Sequence, residues 1–67
     1  MPKIVNCIAS IRKQKKISQE KLADLLGTTT RTLRKWESGT DYPKLDQALL
    51  LSKILDIPIT TLFFFID

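Results

Sequence analysis

Apolar residues recur along this chain at spacings of three and four, the period of a helix with one buried side. Ile4, Cys7, Ile8 and Ile11 open the pattern and predict a first helix over residues 3–15. Its end is crowded by Arg12, Lys13, Lys15 and Lys16, where cations suit the negative pole of the helix. Ser18 is a capping residue for a second helix, and Ile17 is placed to pack on Leu22 across that cap. Leu22, Ala23 and Leu26 face inward, and Gly27 stops the helix. Thr29 then caps a third helix over residues 30–37, with Leu33 and Trp36 on its inner side.

The segment Ser38-Gly39-Thr40-Asp41-Tyr42-Pro43 has turn chemistry. A fourth helix is expected over residues 44–55, burying Leu45, Ala48, Leu49, Ser52 and Leu55. Ile57-Pro58 leads into a last turn or two containing Leu62 and Phe63, since proline suits a first helical position. No alternating strand pattern, repeat or linker stands out. Five short helices joined by tight turns predict one all-α bundle over residues 1–67.

Sixty-seven residues leave room for one core. A chain this short buries only about 60% of its unfolded surface. One cysteine, Cys7, allows no internal disulfide and reads as a small core residue. With no histidine, neither a Cys/His zinc site nor a histidine-based catalytic arrangement is expected. No metal or cofactor is called for. The start of the chain, Met1-Pro2-Lys3-Ile4-Val5-Asn6-Cys7, lacks the apolar run of a signal peptide, and no stretch suits a membrane span. A cytoplasmic protein is the expectation. The net charge of +4 points weakly to a polyanionic partner, and where the charges lie matters more.

Three of them, Arg31, Arg34 and Lys35, fall on the third helix. Residues 19–38, QEKLADLLGTTTRTLRKWES, predict two helices meeting at a sharp bend. Ala23 is small enough for a close crossing, and Gly27 accepts a left-handed backbone that would cost another residue about 1 kcal/mol or more. Leu22, Leu26, Leu33 and Trp36 form the apolar wedge that sets the interhelical angle, and no direct function is claimed for them. The outer side of the third helix carries Thr30, Arg31, Arg34 and Lys35, with no acid among them.

This run resembles the helix-turn-helix of the lambda-repressor-like family, which includes the Cro-type phage regulators. The matching features are Gln19, Ala23, Gly27, Leu33 and the run Trp36-Glu37-Ser38-Gly39, continued by Pro43-Lys44-Leu45 and Leu55-Asp56-Ile57. Thr28 stands where the family often has an apolar residue, Asp56 where it has a helix-ending glycine, and Pro58 where it has a serine-like cap. The resemblance implies a five-helix DNA-binding domain whose third helix enters the major groove. Carried over by position, Thr30, Arg31 and Lys35 would face base edges, with Arg31 or Lys35 able to hold a guanine. Arg34 is placed with them, although its position also suits a phosphate. Gln19, Thr29, Ser38, Thr40 and Lys44 would contact the phosphate backbone, Thr29 being first of all a helix cap. The family further implies an ion pair between Arg12 and Glu37 that braces the first helix against the third.

Apolar residues are in excess near the end. Leu50 and Ile54 share a helix face, and Phe63-Phe64-Phe65-Ile66 supplies three of the chain's five aromatics. Phe63 is assigned to the core. Leu50, Ile54, Phe64, Phe65 and Ile66 are assigned to a two-fold homodimer contact that takes in a tail of residues 62–67. Such a dimer would set two recognition helices about 34 Å apart and favour a palindromic operator in double-stranded DNA. The reading that follows is a sequence-specific transcriptional regulator, a repressor, with no catalytic step. Its rival is an antitoxin or adaptor using the same fold to bind protein, which the cationic face of the third helix disfavours. An enzyme is disfavoured by the missing histidine and by the lack of a glycine-rich phosphate loop.

Overall fold

The computed structural model describes residues 3–67. Met1 and Pro2, part of the start expected to lack a signal peptide, lie outside the described residues. The elements run β1 (Lys3–Asn6), α1 (Ile8–Gln14), α2 (Gln19–Leu25), α3 (Thr30–Ser38), α4 (Leu45–Leu55), α5 (Ile59–Leu62) and β2 (Phe63–Ile66). All five helices of the expected bundle form. Each of them contributes to one core: Ile8 and Ile11 from α1, Leu22 and Ala23 from α2, Leu33 and Trp36 from α3, Leu51 and Leu55 from α4, and Leu62 from α5. Leu26, just past α2, completes it. A fully buried leucine contributes about 1.5–3 kcal/mol, so this set outweighs any local propensity in holding the helices together.

Two parts of the sequence reading are corrected. The first helix does not begin at Lys3. Residues Lys3–Asn6 form β1, which pairs antiparallel with β2 in the register Lys3↔Ile66, Ile4↔Phe65, Val5↔Phe64 and Asn6↔Phe63. The chain ends are thereby tied into a two-stranded ribbon, and Phe63 is a strand residue packed against the core. The physical reason is side-chain type: Ile4, Val5 and a run of three phenylalanines favour extended backbone once they have each other as neighbours. Asn6 then leads from β1 into α1, its Oδ1 accepting a hydrogen bond from the Ile8 N–H at 3.1 Å. An asparagine that satisfies a free helix N–H in this way favours a boundary over a helix interior. Cys7, half-buried at the junction, donates its backbone N–H to the Leu62 carbonyl at 3.0 Å, joining the start of α1 to the end of α5.

The second correction concerns α4. Its buried face is Ala48, Leu51 and Leu55. Leu45 and Leu49, expected inside, are 74% and 52% exposed. Ser52 is half-buried and donates its hydroxyl to the Ile57 carbonyl. With leucine or isoleucine at 45, 49, 50, 51, 54 and 55, α4 is apolar on most sides. The face that meets α5 and the core wins.

The helix ends follow their chemistry. Ser18 and Thr29 cap α2 and α3, accepting from the N–H groups of Lys21 and Thr32 at 3.0 and 3.1 Å. Gly27 and Gly39 take positive φ. Asp56, the non-glycine at the end of α4, adopts the same left-handed conformation with φ 54°. Pro58 precedes α5 as its cap residue. The departures from the family pattern at these two positions therefore leave the geometry in place, at a small conformational penalty for Asp56. Thr28, the third departure, is half-buried.

Candidate nucleic-acid interface

The site is built from α2, the Gly27 bend and α3. Buried Ala23 and Leu33 seat the two helices against each other. Gly27 turns the chain with φ +68°, and nothing lies within 4 Å of where its Cβ would be. The glycine is thus required by backbone conformation and not by crowding. Leu33 and Trp36 turn one side of α3 into the core, at 0% and 2% exposure. At about 100° per residue the opposite side is then centred on Arg31 and Ser38, with Arg34 and Lys35 on either flank. All four are exposed. Thr30 is half-buried at the helix start. The cationic face is open to solvent, with no segment among the described residues folded over it.

Behind that face lies a network of polar side chains. Arg12 and Glu37 form an ion pair that is closed from water, with side chains 9% and 8% exposed. The Arg12 Nε donates to Glu37 Oε2 at 2.8 Å, its Nη2 to Glu37 Oε1 at 3.3 Å, and its Nη1 to the Ile17 carbonyl at 3.0 Å. Every buried side-chain nitrogen and oxygen among the described residues has a partner. Gln19 joins the pair: its Nε2 donates to Glu37 Oε1 at 2.9 Å, while its Oε1 accepts from Arg34 Nε at 3.2 Å. Gln19, expected at a phosphate, is thus half-buried and engaged within the protein.

The other expected phosphate contacts lie at the two ends of α3 and at the start of α4. Thr29 is an exposed cap whose hydroxyl also pairs with that of Thr32 at 2.9 Å. Ser38 donates to the Lys35 carbonyl at 3.1 Å, so the 2.9 Å contact between the Ser38 and Thr40 hydroxyls has Thr40 as donor. Lys44 is exposed at the start of α4, where its N–H donates to Gln47 Oε1 at 3.2 Å. The residues assigned to the dimer contact divide: Leu50, Phe64, Phe65 and Ile66 are exposed, whereas Ile54 is half-buried against the core. Sequence reasoning missed Asn6, whose Nδ2 donates to the Trp36 carbonyl at 2.8 Å and ties the ribbon to the end of α3. No local signal marks a contact thirty residues away.

A tight α2–bend–α3 unit with a free cationic outer face and a closed Arg–Glu brace behind it is a helix-turn-helix, and the helix-turn-helix family matches residues 8–62. The chain belongs to the lambda-repressor-like helix-turn-helix family. Among curated relatives of this helix-turn-helix is the HTH-type transcriptional activator BcrR of Enterococcus faecalis, 33% identical over 55 residues and 82% of this chain. The match occupies 27% of BcrR, so this chain spans about a quarter of that relative. Among solved structures, the P22 c2 repressor, determined with a synthetic operator, is 30% identical and superposes with a TM-score of 0.75 over 79% of this chain and 80% of its own. The restriction-modification controller protein C.AhdI of Aeromonas hydrophila is 31% identical, with a TM-score of 0.73 over 81% of this chain and 78% of its own. A Bacteroides fragilis protein only 23% identical shares the fold over 91% of this chain and 98% of its own, with a TM-score of 0.84. Among the described residues, no helix is long and apolar enough to cross a membrane. No group of three or more acidic or cysteine side chains among them is placed to hold a metal ion.

Proposed function

We propose that this helix-turn-helix domain binds double-stranded DNA in a sequence-specific way and regulates transcription, with α3 in the major groove. The observation that carries this is the exposed, acid-free face of α3 bearing Arg31, Arg34 and Lys35. Family membership and the operator complex of the P22 c2 repressor support it. Arg31 and Lys35 take base edges, Arg31 from the centre of the face, with the Thr30 methyl available to a thymine. Thr29 at the start of α3, Ser38 and Thr40 at its end, and Lys44 at the start of α4 hold phosphates, which sets the docking register. Repression follows from occupying a promoter and excluding polymerase. The cationic face disfavours an antitoxin or adaptor role.

A homodimer on a palindromic operator completes the reading. Support comes from the apolar side chains left uncovered at Leu50 (38% exposed), Phe64 (44%), Phe65 (67%) and Ile66 (46%). Ile54 is half-buried against the core. Selection of bound duplexes from a random pool tests both parts, because it yields the target sequence and its symmetry together. Affinity for the selected duplex should fall steeply with salt as counterions are displaced. A protein that ignored duplex DNA in dilute buffer would refute the proposal.

A further inference from the structure

The geometry points to Arg34 as a phosphate-clamping residue and to Gln19 as the residue that positions it, the two acting on DNA as one unit. This rests on the DNA-binding reading above. Arg34 and Lys35 occupy opposite flanks of the outer face of α3, and Arg34 is on the flank shared with Glu37, three residues on. A helix about 10–12 Å across nearly fills a major groove about 12 Å wide. The centre of its outer face therefore meets base edges and its flanks meet the walls, where the phosphates lie. The long flexible side chain of an unrestrained arginine would sample both.

Arg34 is restrained. Its Nε donates to Gln19 Oε1 at 3.2 Å, and Gln19 Nε2 in turn donates to Glu37 Oε1 at 2.9 Å. The amide cannot be turned round, because that would set N–H against N–H at Arg34 and oxygen against carboxylate at Glu37. Glu37 is itself locked by Arg12. The order Arg12–Glu37–Gln19–Arg34 thus runs from a closed ion pair to an exposed cation, and each link fixes the orientation of the next. With Nε engaged, the four N–H groups on the two terminal nitrogens remain, an end-on fork that fits two oxygens of one phosphate. Gln19 then contributes to DNA affinity through Arg34, by removing rotamer freedom that binding would otherwise have to remove.

The test is a double-mutant cycle with Gln19→Ala and Arg34→Ala, measured on the duplex selected from a random pool and on its single-base variants. Arg34→Ala should weaken all of these duplexes by a similar factor, about tenfold, and reduce the salt slope by about 1. Gln19→Ala should weaken binding a few-fold in the parent and leave it unchanged in the Arg34→Ala background. Gln19→Met, which keeps the apolar stem, should repeat this where Gln19→Ala lowers the melting temperature. Equal losses from Gln19→Ala in both backgrounds would overturn the unit, as would Arg34→Ala relaxing preference at a single base pair. The free protein supplies a separate readout. Hydrogen exchange at the Arg34 Nε–H should be slow in the parent and fast in Gln19→Ala, and equally fast exchange in both would break the link whatever the DNA result. A parent that bound no duplex but kept the slow exchange would refute the DNA-binding reading and, with it, the clamp.

Discussion

Arg12→Ala is the most informative single perturbation of this domain. It removes three hydrogen bonds at once, two to Glu37 and one to the Ile17 carbonyl. The Glu37 carboxylate stays behind, 8% exposed, with only the Gln19 amide for a partner. Breaking one side of a buried ion pair typically costs about 3–5 kcal/mol, because the remaining charge has lost its compensation. Total stability for a domain of this length is roughly 3–10 kcal/mol. The substitution should therefore remove a third or more of the folding free energy. At about 4–8 °C per kcal/mol, the melting temperature followed by circular dichroism should fall by about 12–40 °C. Replacing both partners, Arg12→Met with Glu37→Leu, exchanges the pair for apolar contacts and should restore stability to the parent level or above it. The restored protein should still bind DNA less tightly, since Gln19 has lost its anchor. An Arg12→Ala variant within about 1 kcal/mol of the parent would show that water reaches Glu37, and would refute the reasoning at its first step.

Three further outcomes are expected. Asp56→Gly should raise stability by about 0.5–1 kcal/mol in urea denaturation, since it relieves the left-handed strain at φ 54° while leaving the backbone as it is; a loss would mean that the Asp56 side chain stabilises the end of α4. Arg31→Ala should relax preference at one position of the selected duplex and cost about 1–3 kcal/mol there, in contrast to the uniform loss expected from Arg34→Ala. Phe65→Asp, at a strand position 67% exposed, should convert a sedimenting dimer to monomer at micromolar concentration, and a parent that is already monomeric there would remove the two-fold contact.

The α2–bend–α3 unit was legible in the residues because everything that forms it is local. Ser18 and Thr29 cap within three residues, Gly27 bends in place, and the spacing of Leu22, Ala23, Leu26, Leu33 and Trp36 defines one inner side. A chain carrying those signals commits to two crossed helices and to a cationic outer face before anything distant is folded. Tertiary structure decided the rest. The Lys3–Asn6 segment has helical spacing, but it becomes a strand because Phe63–Ile66 arrives beside it from the far end of the chain. The leucine-rich α4 has no unique inner side until α5 and the core choose Leu51 and Leu55 over Leu45 and Leu49. The hold of Gln19 on Arg34 depends on the angle at which α2 and α3 cross, a quantity that no spacing encodes. Local hydrogen bonds and backbone preferences act over three or four residues and can be read along the chain. Burial and side-chain pairing act between surfaces, and those exist only after folding.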